Sequence, residues 1–337
     1  MSLAEFRKEL LPAIEQALKE AMAPAKSVGH EAMYAMLAYH LGWEGEGAGS
    51  RATGKRIRPT LLLLTCIAGG GNWKKALPAA AAVELLHNFS LIHDDIQDGS
   101  EQRRGRPTLW SLHGIAQAIN AGDAMFSLAH MSLEALQHTT SRSVYITAAN
   151  LLPRTSLQLT QGQYLDLTYE GINDLSMASY WPMIWGKTAM LIRACTQLGA
   201  TIAGATGRKL KAYLTFGEKL GLAYQVHDDL LGIWGKPEEM GKSAHSDLLS
   251  GKKSLPVLYA LDQKKEFAKR WTNGGIAPQR VKEFAALLDA DGAREFTRSE
   301  AARLTEESLQ VLAVAKPAAG AGAALIEFAE ELGRREV

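Results

Sequence analysis

Apolar residues recur every three or four positions along most of this 337-residue chain, which is the period of an amphipathic helix. Near the N-terminus, Phe6, Leu10 and Ile14 share one helical face. Together with Leu18, they predict a first helix over 3–22. The sequence contains no convincing run in which β-branched residues alternate with polar ones, so it predicts an all-α fold.

The same periodicity predicts a succession of further helices with short connections. These helices are expected over 30–41, 59–68, 78–98, 115–138, 142–170, 176–204, 207–232, 254–268, 279–289, 292–313 and 318–334, and a loop is expected over 235–253. We find no linker and no repeat of fixed period in the sequence. Because a chain of this length can bury a large core, we predict a single all-α domain over 1–337.

The predicted helix 78–98 is apolar on nearly every face, which indicates burial, yet it ends in acidic residues. Asp94 and Asp98 stand four positions apart, so both carboxylates leave the same side of the helix. Their mutual repulsion and the negative end of the helix dipole favour a divalent cation with oxygen ligands, such as magnesium. A single motif of this kind is also compatible with a solvated end of a helix.

A second acidic pair, Asp228 and Asp229, follows the apolar run 220–226 near the end of another predicted helix. Two buried helices that each end in paired aspartates are hard to explain as solvated surface. We therefore predict that two carboxylate walls face one another and hold a cluster of metal ions between them.

Basic residues form three clusters close to these acids in the sequence. The clusters are Lys55, Arg56 and Arg58, then Arg103, Arg104 and Arg106, and finally Lys242, Lys252 and Lys253. Since Lys plus Arg total 37 and Asp plus Glu total 36, the net charge of +1 gives no reason to expect a nucleic-acid partner. Arginine and lysine bind phosphate, so the clusters and the aspartates predict a site for polyphosphorylated substrates bridged by magnesium. If a whole diphosphate departs, a carbon–oxygen bond breaks and a carbocation remains.

The remaining composition bears on the cellular compartment. No apolar run reaches the ~18 residues that a membrane span needs, and Glu5 and Glu9 interrupt any signal-peptide pattern. Cys66 and Cys195 lie in apolar surroundings without metal-ligand spacing, so we expect buried structural thiols. We therefore expect a cytoplasmic protein that does not insert stably into membranes.

Several ordered segments of the chain resemble one known family. They are 54–59 (GKRIRP), 84–98 (ELLHNFSLIHDDIQD), 103–108 (RRGRPT), 186–189 (GKTA), 225–229 (QVHDD), 241–242 (GK), 246–248 (SDL) and 251–256 (GKKSLP). Their order and spacing resemble the trans-isoprenyl diphosphate synthases, also called polyprenyl synthetases. The resemblance covers about 50–262, which we expect to be the catalytic core, whereas the ends match only as generic helices.

The resemblance implies a bundle of antiparallel helices around a deep central cavity, usually in a homodimer. It implies that Asp94 and Asp98 hold two magnesium ions and Asp228 a third, with manganese as an alternative ion, while Asp95 and Asp229 orient these ligands. Isopentenyl diphosphate would be bound by Lys55, Arg58, His87 and Arg104. The allylic diphosphate would be bound by Arg103, Lys187, Gln225, Lys242 and Lys252, with the oxygen of Thr188 turned toward the cation.

The resemblance also bears on the product. In the family, large residues five and four positions before the first aspartate shorten the product. Here Phe89 is large and Ser90 is small, which resembles geranylgeranyl diphosphate (C20) synthases more than farnesyl diphosphate (C15) synthases. One departure concerns the second motif, because many members carry aspartate at its fifth position whereas this chain has Gly232.

Three alternatives to a C20 synthase remain open from the sequence. The first is a farnesyl diphosphate synthase. The second is a class I terpene cyclase, against which Lys55, Arg58 and Arg104 count, because a cyclase has no isopentenyl diphosphate to hold. The third is a non-catalytic subunit that regulates a partner synthase, against which the retention of metal ligands in both motifs counts.

Overall fold

The computed structural model describes residues 1–172, 174–235, 245–272 and 275–333. Within these ranges the chain is predominantly helical, as the all-α prediction requires. The helices are α1 (Leu3–Ala21), α2 (Glu31–His40), α3 (Ser50–Thr53), α4 (Ile57–Gly69), α5 (Leu77–Gln97), α6 (Leu109–Glu134), α7 (Leu136–Thr139), α8 (Arg142–Glu170), α9 (Met177–Ile184), α10 (Met190–Ile202), α11 (Gly207–Trp234), α12 (Ser246–Ser250), α13 (Leu255–Asp262), α14 (Glu266–Arg270), α15 (Val281–Ala290), α16 (Ala293–Val314) and α17 (Ala319–Gly333). No helix in these ranges is long and apolar enough to cross a membrane.

Several predicted boundaries differ from those observed. The expected helix 176–204 contains a π-helical segment, Trp185–Ala189, between α9 and α10. α4 begins at Ile57 rather than at Pro59, and its N-cap residue Arg56 has a left-handed φ of 46°. The predicted loop 235–253 contains the short helix α12, which ends at Gly251 with φ 74°.

A two-residue hairpin that the sequence analysis did not predict joins α5 and α6. Strands β1 (Gln102–Arg103) and β2 (Arg106–Pro107) pair antiparallel, with Arg103 opposite Arg106. The turn residues Arg104 and Gly105 both have positive φ, as a type I′ turn requires. Such short strands have no alternating pattern for sequence reasoning to detect.

The chain divides into two compact units by its internal contacts. The described residues of the first unit come from 1–154, 194–211 and 316–325. Here α5 packs against α1, α4 and α6, and its residues from Ala79 to Leu86 are all buried. This agrees with the all-round apolar sequence of the helix.

The described residues of the second unit come from 155–193, 212–315 and 326–333. One of its apolar clusters joins α9, α11, α13 and α16, with Tyr180, Val226 and Leu304 all buried. A second cluster is built around Phe267 and Phe284 on α14 and α15. The organisation of 1–337 as a single domain stays a prediction.

Candidate active site

The carboxyl end of α5 carries three aspartates in different environments. Asp94 is half-buried and Asp98 is exposed, and the Asp98 N–H donates to the Asp94 carbonyl at 2.8 Å, one helical turn back. Asp95 is only 2% exposed, and both of its carboxylate oxygens accept from Arg103 Nε, at 2.8 and 3.0 Å. Asp95 therefore differs from Asp94 and Asp98, the two aspartates predicted to bind metal, in being buried and paired with an arginine.

His87 lies among three arginines, Arg58, Arg103 and Arg104. Arg104 donates to the Ala52 carbonyl at 2.7 Å, and Arg58 has a buried Nε–H without a hydrogen-bond partner among the described residues. Burial and the nearby charges of Arg58, Arg104 and Arg103 hold the pKa of His87 well below its usual value. His87 is therefore neutral at neutral pH, and the cluster has the charge and the donors to bind an anion.

The same electrostatics act on Arg104 itself. Burial lowers the pKa of Arg104, and although Glu84 raises it, the charges of Arg56, Arg103 and Arg58 lower it further. The guanidinium lies against Gly54, whose φ is 74°, and a Cβ at that position would stand 2.7 Å from Arg104 Cζ. Lys55, the next residue, is exposed. Gly54 thus allows the backbone before Lys55 to approach Arg104 closely.

Two members of the basic clusters hold the fold instead of facing a substrate. Arg56 is 3% exposed and bonds to Glu15 at 2.6 Å, to Glu84 at 2.9 Å and to the Leu41 carbonyl at 3.2 Å. Arg106 donates to three backbone carbonyls, those of residues 39, 44 and 46. Neither role is visible in the sequence, where these arginines resemble their neighbours.

The predicted chain-length residues lie on α5, next to α6. The Phe89 ring is 4.8 Å from the His93 ring and 5.1 Å from the Phe126 ring of α6, centroid to centroid. Ser90 is buried, and its hydroxyl donates to the His87 carbonyl at 2.8 Å. Phe126, which the sequence analysis did not single out, therefore packs against the Phe89 ring.

In the second unit a chain of hydrogen bonds leads from Thr188 to a buried carboxylate. Gln225 Oε1 accepts from the Thr188 hydroxyl at 2.6 Å, and Gln225 Nε2 donates to Asp229 Oδ1 at 2.9 Å. The other oxygen of Asp229 accepts from the Tyr180 hydroxyl at 2.7 Å and from the Leu255 N–H at 2.9 Å. Burial raises the pKa of Asp229 to about 6.

Tyr180 and Asp166 are site residues that the sequence analysis missed. Burial raises the pKa of Tyr180 well above its usual value, so its hydroxyl keeps the proton that it donates to Asp229. Asp166 forms an ion pair with Lys187, which lies in the π-helical segment. A Cβ at Gly162 would overlap the Lys187 backbone. A glycine inside a predicted helix, one turn before Asp166, was therefore a sequence signal that another segment packs closely at this place.

Lys252 lies among acidic side chains. Burial alone would lower its pKa, but the carboxylates of Asp247, Asp166, Asp229 and Asp228 raise it well above the usual value. The lysine is therefore firmly protonated. Its positive charge thus lies beside the carboxylates of the second acidic motif. Asp228, the first residue of that motif, is half-buried.

The other two members of the third basic cluster are Lys253 and Lys242, and the structure describes only the first. Lys253 is buried and donates to the carbonyls of Tyr169, Glu170 and Ile172, near the end of α8. It is a structural lysine, although the sequence places it beside Lys252. Lys242 lies outside the described residues, so its predicted role stays a prediction.

The acidic residues suit a metal that brings other ligands with it. Among the residues described, no three His, Cys, Asp or Glu side chains come together to hold a metal ion by themselves. Magnesium commonly takes one or two carboxylates and completes its shell with phosphate oxygens and water. The paired carboxylates of Asp94 and Asp98, predicted to bind metal, suit that mode of binding.

Comparison with known proteins identifies the class. The family model described as polyprenyl synthetase matches residues 49–288. The geranylgeranyl diphosphate synthase of Mycobacterium tuberculosis (strain ATCC 25618 / H37Rv) is 38% identical over 315 residues, which cover 91% of this chain and 87% of that protein. The (2E,6E)-farnesyl diphosphate synthase of the same strain is 38% identical over 291 residues, covering 83% and 80%.

A solved structure gives the same result for the fold. The crystal structure of polyprenyl synthetase from Streptomyces coelicolor A3(2) is similar with a TM-score of 0.83 and 33% identity, over 98% of each chain. The fold and the sequence therefore define a prenyltransferase. The chain belongs to the polyprenyl synthetase family, which confirms the resemblance read from its motifs.

Proposed function

We propose that this prenyltransferase condenses isopentenyl diphosphate with an allylic diphosphate and makes mainly geranylgeranyl diphosphate (C20). The observation that carries the condensation is the cluster of arginines around neutral His87, in which Arg58 has a buried Nε–H with no hydrogen-bond partner in the described part of the chain. A terpene cyclase would have no use for a second diphosphate site. The large Phe89 before the small Ser90 supports the C20 product, and a relative named geranylgeranyl diphosphate synthase matches 91% of the chain.

Each diphosphate has its own set of binding residues in this proposal. Lys55, Arg58, His87 and Arg104 hold isopentenyl diphosphate, whose diphosphate is not cleaved. Arg103, Lys187, Gln225, Lys242 and Lys252 bind the allylic substrate. Because Asp95 holds Arg103 and Asp166 holds Lys187, both cations are oriented before the substrate arrives.

Asp94, Asp98 and Asp228 are the proposed ligands for three magnesium ions, with manganese as an alternative. When bound, these ions supply positive charge that stabilises the departing diphosphate. The protein contributes carboxylate oxygens at the ends of two helices. Buried Asp95 and Asp229 contribute orientation, since both are fully engaged by donors of the chain.

Thr188 is suited to face the allylic cation. Its hydroxyl proton is donated to Gln225, so the lone pairs of its oxygen point elsewhere and present partial negative charge. The double bond of isopentenyl diphosphate attacks the cation, forming the new carbon–carbon bond. A proton then leaves the condensed cation for the released diphosphate, which yields an allylic product without a nucleophilic side chain.

Turnover of the purified protein tests the proposal. The protein is incubated with magnesium, labelled isopentenyl diphosphate and dimethylallyl, geranyl or farnesyl diphosphate, and the products are sized by mass spectrometry. A C20 product is expected with each primer. Accumulation of C15 identifies a farnesyl synthase, hydrocarbon formed without isopentenyl diphosphate identifies a cyclase, and inactivity of the chain alone identifies a regulatory subunit.

The proposal includes a homodimer in the cytoplasm. Leu112, Ile115, Ile119 and Met131 on α6 are between 42% and 56% exposed, so a second copy of the chain would bury apolar side chains here. Sedimentation of the purified protein tests this assembly: a monomer at micromolar concentration would contradict it.

A further inference from the structure

The carboxylate of Glu15 on α1 joins the two ends of the connection between α2 and α4. Its Oε2 accepts from Trp43 Nε1 at 2.7 Å, and its Oε1 accepts from Arg56 Nε at 2.6 Å. A second guanidinium nitrogen of Arg56, Nη2, donates to Oε2 at 3.3 Å. Trp43 and Arg56 are the first and last residues of the segment 43–56. One carboxylate from outside this segment therefore holds both of its ends.

Arg56 has a strained backbone that these contacts hold in place. Its φ of 46° and ψ of 44° lie in the left-handed region, which residues other than glycine rarely adopt. Its guanidinium is 3% exposed, and the buried charge is balanced by Glu15 together with Glu84, whose Oε1 lies at 2.9 Å. Because Lys55 precedes Arg56 and Arg58 follows two positions later, the conformation of Arg56 determines how the chain runs from one to the other.

Arg104 depends on the same segment of chain. Its Nη1 donates to the Ala52 carbonyl at 2.7 Å, and its guanidinium lies against Gly54. Both Ala52 and Gly54 belong to segment 43–56. Of the cationic residues proposed to hold isopentenyl diphosphate, one thus lies in this segment, one follows it and one is held by it.

We propose that Glu15 is a positioning residue for the isopentenyl diphosphate site, because it fixes segment 43–56 and, through it, the cations of this site. The match to the polyprenyl synthetase model, 49–288, does not include Glu15. The inference rests on the proposed function, which assigns these cations to isopentenyl diphosphate. Loss of the Glu15 carboxylate should therefore weaken the binding of isopentenyl diphosphate and leave the binding of the allylic diphosphate unchanged.

Four variants separate the role of the carboxylate from that of the helix. Glu15→Gln keeps the size of the side chain, but its single amide oxygen replaces a carboxylate on which three donors converge. Trp43→Phe removes only one of these donors, so its effect should be smaller. Glu9→Gln, exposed on the same helix, is the matched control for the lost charge. Ile14→Val, at a fully buried position beside Glu15, is the control for lost stability.

Two readouts separate positioning from packing. Calorimetry measures the affinity for isopentenyl diphosphate alone, which does not react without an allylic partner, and steady-state kinetics gives the KM of each substrate. Glu15→Gln should weaken this binding by about tenfold, since it leaves a buried donor without its acceptor. The KM of isopentenyl diphosphate should rise while the allylic KM stays constant. The double variant Glu15→Gln with Trp43→Phe should bind no more weakly than Glu15→Gln, because both changes break the same contact.

Three outcomes would overturn the proposal. The first is a folded Glu15→Gln variant that binds isopentenyl diphosphate as tightly as the unmodified protein. The second is an equal rise of both KM values in that variant. The third is an Ile14→Val variant that loses as much affinity, which would make the stability of α1 the cause. An unmodified protein that does not bind isopentenyl diphosphate would instead refute the proposed function, while faster amide exchange over 43–56 in Glu15→Gln would still show that Glu15 holds this segment.

Discussion

Thr188 donates its hydroxyl proton to Gln225 Oε1 at 2.6 Å. The amide of Gln225 has its orientation fixed, because its Nε2 donates to Asp229 at 2.9 Å. A reversed amide would present an N–H to the Thr188 hydroxyl and change the direction of its dipole. The buried carboxylate of Asp229 therefore determines, through one amide, which way the Thr188 oxygen presents its lone pairs.

Replacing Thr188 with Val should lower kcat while leaving the KM of isopentenyl diphosphate unchanged. Valine keeps the shape of threonine but has no oxygen to stabilise a cation, so the loss falls on the transition state. Thr188→Ser keeps the hydroxyl and should recover most of kcat. Steady-state kinetics of both variants provides the check, and equal kcat values for Val and Ser would refute the role of the oxygen.

Replacing Asp94 or Asp98 with Ala should abolish measurable condensation and preserve helical structure. Loss of a metal ligand removes charge stabilisation of the leaving group, which corresponds to several powers of ten in rate. Turnover at saturating magnesium and circular dichroism test this prediction, with exposed Asp289→Ala as the control. Near-normal turnover in either variant would show that the metal assignment is wrong.

Replacing Lys55 or Arg58 with Ala should raise mainly the KM of isopentenyl diphosphate. Both residues are proposed to hold a diphosphate that is not cleaved, and binding of that kind changes KM more than the chemical step. Initial rates at varied concentrations of each substrate separate the two sites. An effect confined to the allylic KM would contradict the proposed division.

Replacing Phe89 with Ala should lengthen the product, and replacing Ser90 with Phe should shorten it to C15. Phe89 is packed between His93 and Phe126, so its removal opens space along α5. Mass analysis of products from both variants tests the prediction, and Phe126→Ala should lengthen the product less than Phe89→Ala. If both α5 variants leave the distribution unchanged, another helix limits chain length.

The two cysteines should resist alkylation in the native protein. Both are 0% exposed, and burial raises the pKa of Cys66 and of Cys195 to about 12. The reactive thiolate is therefore nearly absent at neutral pH. Mass spectrometry after iodoacetamide treatment should show an unmodified chain, and two labels after denaturation. Rapid labelling of the native protein would contradict this burial.

The helical fold was predictable because its signals are periodic and long. The paired aspartates of α5 stood out in the sequence because paired acids at the end of an apolar helix conflict with local electrostatics, and their role as metal ligands stays a prediction. Single basic residues were not: Arg56 and Arg58 look alike in the sequence, and only the partners Glu15 and Glu84 separate the structural arginine from its neighbour.

The sequence analysis did not find Asp166 and Tyr180, because their partners are distant in the sequence. Asp166 pairs with Lys187 across 21 positions, and Tyr180 reaches Asp229 across 49. The π-helical segment around Lys187 differs from an α-helix by one residue in its turn, which an apolar period cannot resolve. Local patterns therefore singled out the acidic and basic segments, whose metal and phosphate binding stays a prediction, but not the residues that orient their side chains.

Arg56 connects the N-terminal helix to the segment that is proposed to bind isopentenyl diphosphate. Its guanidinium ties Glu15 of α1 to Glu84 of α5, and its carbonyl receives the Thr60 N–H at the start of α4. Arg58 stands only two residues further along. A version of the protein that lacks residues 1–15 would lose this anchor, so we expect the truncation to weaken the affinity for isopentenyl diphosphate as well as the stability of the fold.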